Sequence, residues 1–380
     1  MSTVLDATAG SAAPPARRSL SPGWLAWRVF LRNRAAVGGM VVVLAFFGIA
    51  LGGLALTRGA TPVLNPREVR LPDKLKPPLS RPNSDVVPAA SRPRLGVYPL
   101  GTDELGRDVF ARMLEGAFVS LSVGFVAVGI AVVVGCVMGG IAGHYGRARL
   151  PAPGWSVGAV GLGILAWVGV AMSRGAGRAD VALWAGLGVL MLGTGLAGLF
   201  LRRPYALTMD TLITGLIDVM LCFPTFFLIL TVIAVLKPSI WNIMIVIGLT
   251  SWEGTARFVR AEILSLREQE FVHAATAMGV SGPRTIRRHL LPNAVAPVLV
   301  SATLGIAGAI LTESALSVLG FGVPPPDATW GNIIADGRKY LFDAPWLTLV
   351  PGTAIFLVVL AFNLFGEGLR EAYNPKLRER

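Results

Sequence analysis

Residues 117–142 read "AFVSLSVGFVAVGIAVVVGCVMGGIA", an unbroken run without one charged side chain. About 20 apolar residues suffice for a helix to cross ~30 Å of hydrocarbon, and a helix satisfies its own backbone hydrogen bonds there. This segment decides the fold, because it belongs in a bilayer and can cross it only as a helix. Gly135 and Gly139 within it and Gly143 immediately after it are spaced four residues apart. Such spacing lets a second helix approach closely in lipid, but glycine is also common in membrane helices generally, and the sequence leaves both readings open.

The rest of the chain agrees with that segment. Over 380 residues it is 53 % hydrophobic and only 15 % charged, with a mean hydropathy of +0.64, which excludes an ordinary soluble domain. A net charge of +12 raises the question of nucleic acid. The basic residues fall in loops and termini and form no amphipathic face interleaved with aromatics, so membrane topology explains them and a nucleic-acid partner is not expected. Cys136 and Cys222 both sit within apolar segments, which argues against a disulfide framework or a cysteine metal site. The expected class is an all-α, multi-pass integral membrane protein.

Residues 1–34 open with an Ala/Ser/Pro-rich stretch lacking an apolar core, so a disordered cytoplasmic tail is expected there and not a signal peptide. Arg17, Arg18, Arg28, Arg32 and Arg34 precede the first span, residues 35–57, and place the N-terminus inside. Residues 58–116 then form a Pro-rich external loop and an amphipathic entry into the second span, with Thr102 or Asp103 as helix N-cap. Eight basic residues against three acids in 58–100 run against a simple positive-inside count, although long loops weaken that rule.

Two apolar runs, 155–172 and 181–201, form an extra hairpin within 150–205 and bring the expected total to about eight spans. Further spans are expected at 212–236, 240–257, 293–319 and 347–369, which returns residues 371–380 to the inside as a short basic tail. On this count the polar stretch "HAATAMGVSGPRTIRRHLLPN", residues 273–293, faces the cytosol.

That stretch has the make-up of a docking element. Good helix formers run from Ala261 to Met278, Gly279 stops them, and Ser281-Gly282-Pro283 restarts a helix. Ala274 and Ala275 would let a partner's surface come close, with Arg284, Arg287, Arg288 and His289 supplying charge around them. A plain connecting loop with lipid-attracted arginines explains the charge equally well, but not the small residues or the Gly-Pro corner.

The spacing His273-Ala274-Ala275, three residues, Gly279, nine residues, His289, one residue, Leu291-Pro292 resembles the EAA loop of ABC importer permeases. "LGTDELGRDVFARMLEGAFVSLSVG" (100–124) and the segments around 291–341 and 344–378 resemble the C-type permease subunit of dipeptide and oligopeptide importers in particular. The resemblance implies a six-span permease, made of the span at 35–57 and the permease core at 117–370, to which the 150–205 hairpin is extra. It also implies a coupling loop at 270–292 that docks in a cleft of an ATPase subunit through His273, Ala274, Ala275, Gly279, Pro283, Arg287, His289, Leu291 and Pro292. His273 stands where the family usually has Glu, so a salt bridge attributed to that Glu does not carry over. On the external side, Gly101, Thr102, Asp103, Gly106, Arg107 and Asp108 match the same branch.

What the resemblance implies for partners is a sister permease, two ABC ATPases that bind ATP and Mg, and an extracytoplasmic solute-binding protein, assembled in the bacterial inner membrane. The chain has no G-x4-G-K-[ST] phosphate loop and no H-E-x-x-H, so no enzyme activity, cofactor or metal of its own is expected. Relatives of this type carry peptides, nickel complexes or other small solutes. An ion-driven transporter is the alternative class, for which no inverted repeat is visible.

Polar residues inside spans are costly and mark either helix–helix bonds or a solute path. Asp218, Glu313, Asn363 and Glu367 are the instances, with Asp218 the deepest, Glu313 near the outer face and Glu367 within reach of Arg370. For Asp218 and Glu313 a structural bond and a place on the translocation path both remain open, and Pro224 is expected to kink its helix.

Overall fold

The computed structural model describes residues 22–59, 62–146 and 208–373. Residues 1–21, the 150–205 hairpin and residues 374–380 lie outside them. In chain order the helices are α1 (Pro22–Arg32), α2 (Arg34–Thr57), α3 (Val109–Tyr145), α4 (Met209–Cys222), α5 (Thr225–Val235) and α6 (Ile240–Thr250). They continue as α7 (Trp252–Leu266), α8 (Glu270–Ala277), α9 (Gly282–Thr285), α10 (Val295–Val318), α11 (Trp330–Gly337) and α12 (Trp346–Tyr373). Among the described residues there is no named β-strand, and α2, α3, α10 and α12 are each long and apolar enough to cross a membrane. The α4–α5 pair qualifies as a fifth only if its two arms, bent by 83°, count together.

The axis of the fold is α3. Its 37 residues span about 55 Å at 1.5 Å per residue, and α2, α6, α7 and α10 pack around it. The glycine stripe accounts for the α7 contact. A Cβ on Gly135 would lie 2.7 Å from Thr255 Cβ, one on Gly139 2.5 Å from Ala256 O, and one on Gly143 2.8 Å from Ile263 Cγ2. The stripe is therefore a packing surface, which decides between the two readings of its sequence.

Several expected boundaries shift. The helix carrying the second span begins at Val109, eight residues before the apolar run, and its N-cap is Asp108, whose Oδ1 accepts from Phe110 N at 2.9 Å. Thr102 and Asp103 are bound elsewhere. The 212–236 segment is two helices bent by 83° at Phe223-Pro224, where Pro224 caps α5 and makes the expected kink. The 240–257 segment likewise divides at Ser251 into α6 and α7.

The expected tail of residues 1–34 is helical from Pro22. Ala26 and Phe30 of α1 are buried against Ala36 and Ala372, and the Phe30 ring meets Phe365 edge-on at 5.6 Å. Asn33 separates α1 from α2, caps α2 through Ala36 N, and donates to Glu371 Oε2 at 2.6 Å. The polar composition of the first twenty residues hid this short amphipathic helix.

Candidate functional site

At the C-terminal end of α3, the segment from Arg267 to Pro292 folds into a compact knob. The helix expected to run unbroken from Ala261 to Met278 stops at Leu266 and resumes at Glu270. The reason is register. Leu266 and Val272, six residues apart, would point to different sides of one continuous helix, whereas the break lets both enter a cluster with Val259, Ile263, Leu290 and Ala294. Val272 and Ala275 thus form the inner face of α8. Ala275 is 1 % exposed, so it packs on its own chain and does not face outward, as the sequence suggested; Ala274 does.

Gly279 terminates α8 in the left-handed region, with φ +78°. Its N–H donates to Thr276 O at 3.0 Å and Val280 N–H to Ala275 O at 3.1 Å, the two bonds of a Schellman cap. Ser281-Gly282-Pro283 restarts the chain as α9, which leads into a single π-helical turn, Ile286–Leu290, closed by Leu291 N–H to Ile286 O at 2.8 Å. The loop is fastened to α3 by Arg267, which donates to Gly143 O at 3.3 Å.

His273, Pro283, Arg284, Arg287, Arg288 and Pro292 are exposed, while His289 and Leu291 are half-buried. Two residues the sequence reading passed over complete the outer face. Phe271 and Met278 are exposed, Met278 at 77 %, and with Ala274 they follow the i, i+3, i+7 spacing of one helical stripe. That spacing, in an amphipathic eight-residue helix, was the available signal.

The opposite end of α3 carries a separate polar platform. Asp103 Oδ2 accepts from Arg107 Nε at 2.6 Å and from Arg112 Nη1 at 2.5 Å, and Asp336 Oδ2 accepts from the same two arginines at 3.1 and 3.0 Å. Asp336 lies on α11, over 220 residues away in sequence, and nothing local pointed to it. Thr102 accepts from Lys76 N at 2.8 Å and donates to Asp73 O. Gly101 and Gly106 take φ +77° and +70°; a Cβ on Gly106 would collide with Arg70 O. The adjacent Glu115, buried at 2 %, is paired by Arg67 at 3.3 Å. These partners let α3 carry charged residues before its apolar run begins.

Of the polar residues expected within spans, Glu313 is fully buried and its Oε1 accepts from Ser317 Oγ at 2.7 Å. Glu367 meets Arg370 at 3.6 Å, and Asn363 donates to Val359 O on its own helix. Asp218 is exposed and accepts from Arg257 Nη2 at 2.9 Å, a partner the sequence did not indicate.

Two family models match the chain. One, the binding-protein-dependent transport system inner membrane component, matches residues 190–379; the other, the N-terminal TM domain of oligopeptide transport permease C, matches residues 21–78. The dipeptide transport system permease protein DppC of Alkalihalophilus pseudofirmus is 32 % identical over 360 residues, covering 95 % of this chain and 92 % of that one. The chain belongs to the family of binding-protein-dependent transport system inner membrane components.

A protein of Brucella suis named as a peptide permease is 34 % identical to this permease over 278 residues, 73 % of this chain and 72 % of that one. Another from the same organism, named as a peptide transport system permease, is 43 % identical over 206 residues, 53 % of this chain and 68 % of that one. The permease is accordingly a multi-pass, α-helical membrane protein and a transport subunit.

Proposed function

We propose that the chain is one of two permease subunits of an ATP-driven importer for di- or oligopeptides, with the knob at 267–292 as its contact with a separate ATPase. The observation that carries this reading is the two-sidedness of α8. Val272 and Ala275 fasten it to the core, while Phe271, Ala274 and Met278 present an apolar stripe bordered by the arginines that follow the Gly279 corner. An apolar stripe with a basic rim fits a cleft in a partner. The peptide substrate is inferred from the relatives' names.

In this reading the knob and both termini face the cytoplasm of a bacterial cell, and the platform at 58–108 faces outward, where a solute-binding protein would deliver substrate. ATP binding and hydrolysis belong to two ATPase subunits. Their closure pushes the knob, α7 carries the displacement towards Asp210 and Asp218 on α4, and the two permeases alternate between inward-open and outward-open states. The test is reconstitution of this permease with its sister, the ATPases and the binding protein. ATP-dependent uptake of labelled dialanine is expected, and uptake that continues without the ATPases would overturn the reading.

A further inference from the structure

We propose that the adjoining faces of α4 and α7 form an aqueous wall of the translocation pathway, and that Asp218 and Arg257 on it form a subsite for the two charged ends of a zwitterionic peptide. The subsite rests on the peptide reading above.

Two kinds of exposed helix surface are present. On α2 the residues exposed past Arg34 are small or apolar, among them Leu44 and Leu51, and α12 exposes Leu349 and Phe356 along with Thr353, Asn363 and Glu367. On α4 a polar stripe runs beside the exposed Leu216, Val219 and Leu221. Thr211, Gly215, Asp218 and Cys222 recur at i, i+4, i+7 and i+11, fall on one side of the helix, and are all exposed. Beside them Ser251, just before α7, and Gly254 and Arg257 on α7 are exposed as well.

A charge turned towards hydrocarbon is expensive, yet the Asp218 and Arg257 side chains are 68 % and 54 % exposed. Water, and not lipid, suits this face. Two cavities of about 620 and 220 Å³ lie between α7 and α10 and share Ser301; the smaller meets this face at Ser251 and Gly254, and no residue of α4 lines either. Ser251, Thr255 and Gly305 line the smaller one, and Phe258 and Glu262 the larger. Small and hydroxyl-bearing residues dominate the smaller one, whereas Val300, Leu304, Tyr373 and Arg370 also line the larger, which lies within the size range of small-molecule sites.

The pair matches its proposed ligand by charge. Arg257 Nη2 donates to Asp218 Oδ1 at 2.9 Å. Among the described residues no further hydrogen bond is found for Asp218 Oδ2 or for the other N–H groups of Arg257, whose charge is also felt by Glu253 one turn earlier on α7. A peptide with free termini brings an ammonium for Asp218 and a carboxylate for Arg257, which guanidinium can hold in two-point fashion. Each terminus displaces one member of the existing pair. The exchange keeps the site weak enough for onward passage while selecting solutes that carry both charges.

Native Cys222 stands one turn from Asp218 on the same exposed face and serves as the probe. In the assembled, reconstituted transporter, a membrane-impermeant thiol reagent is expected to modify Cys222, read by mass spectrometry separately from Cys136. Saturating dialanine is expected to slow that modification about tenfold, and N-acetyl-dialanine, which lacks the ammonium, to protect far less. Asp218→Asn should abolish the difference between the two peptides, and Arg257→Gln the difference between dialanine and its amide. A change that merely loosened α4 would not alter these preferences selectively.

Modification of Cys222 in the isolated subunit but in no nucleotide state of the complex would mean that the sister permease covers the face, and would overturn the proposal. Equal protection by both peptides in the native protein would overturn the subsite. Dialanine uptake measured on the same preparation separates the two levels: uptake without protection removes the subsite alone, whereas absent uptake removes the peptide reading.

Discussion

Arg260 on α7 grips Asp210, in the first turn of α4, through two parallel hydrogen bonds, Nε to Oδ1 at 2.5 Å and Nη2 to Oδ2 at 2.6 Å. Two-point guanidinium–carboxylate bonding fixes direction as well as distance. With Asp218–Arg257 it makes a second tie between the same two helices. Because α7 leads directly into the knob, these ties place α4 in the line of any movement that begins there.

Asp210→Asn removes the charge and one strong acceptor, a loss of about 1.5–3 kcal/mol for a charge-assisted bond. We expect the complex to assemble and hydrolyse ATP while uptake per ATP falls about tenfold. Paired measurements of ATPase rate and uptake check this; an unchanged ratio would show that the tie carries no coupling.

Gly279→Val tests the corner of the knob. Space around the missing side chain is open, with nothing within 4 Å of where a Cβ would stand, so the penalty is confined to holding a β-branched residue at φ +78°, about 1–2 kcal/mol. Membrane insertion should be normal and uptake lost. Normal uptake by this variant would contradict the coupling role.

Met278→Glu places a carboxylate at the most exposed point of the apolar stripe. If the stripe seats in an ATPase cleft, co-purification of the ATPase should fall by about an order of magnitude, as for loss of a central apolar anchor. Retention of the ATPase at the native level would exclude Met278 from the contact.

Gly139→Leu and Gly129→Ala separate packing from helix propensity on α3. The first forces a side chain onto Ala256 O, 2.5 Å from the Cβ position, while the second meets nothing within 4 Å. Destabilisation of about 1–3 kcal/mol or more is expected for Gly139→Leu. Gly129→Ala should be neutral or slightly stabilising, as thermal unfolding in detergent would report.

Asp73 gives the platform a dependence on acid. Burial raises its carboxyl, but Lys76, Tyr98 and the Asn83 N–H outweigh that and hold it below the ordinary value of 3.8. A depressed carboxylate contributes stability that is complete above its unfolded value and is lost as pH falls through the folded one. Asp108 opposes this, since burial raises it despite the N–H groups of Phe110 and Ala111 and the nearby Arg70. The native protein should therefore lose its stability advantage over Asp73→Asn as pH drops below about 3.8. A constant difference from pH 6 to pH 3 would contradict that account.

Much of the fold was legible because its rules are local. The 117–142 run had to be a helix, since hydrocarbon offers no other partner for its backbone, and the Gly279 corner was readable because a left-handed residue at a helix end favours glycine. The spacing from His273 to Pro292 was sufficient to point to the family, and two matching family models bear the identification out.

What the sequence left open depended on residues distant along the chain. Asp336 reaching Arg107 and Arg112, Arg257 reaching Asp218, and the break after Leu266 that turns Val272 and Ala275 inward all follow from how helices seat against one another. No periodicity within a single segment carries that information, because a side chain's partner is set by the packing of α3 against its neighbours. The sequence by itself determined that this is a helical membrane permease with a polar knob. Tertiary structure decided which face of the knob is free and which charges join α7 to α4, because burial and ion pairing are properties of assembled helices and not of any one of them.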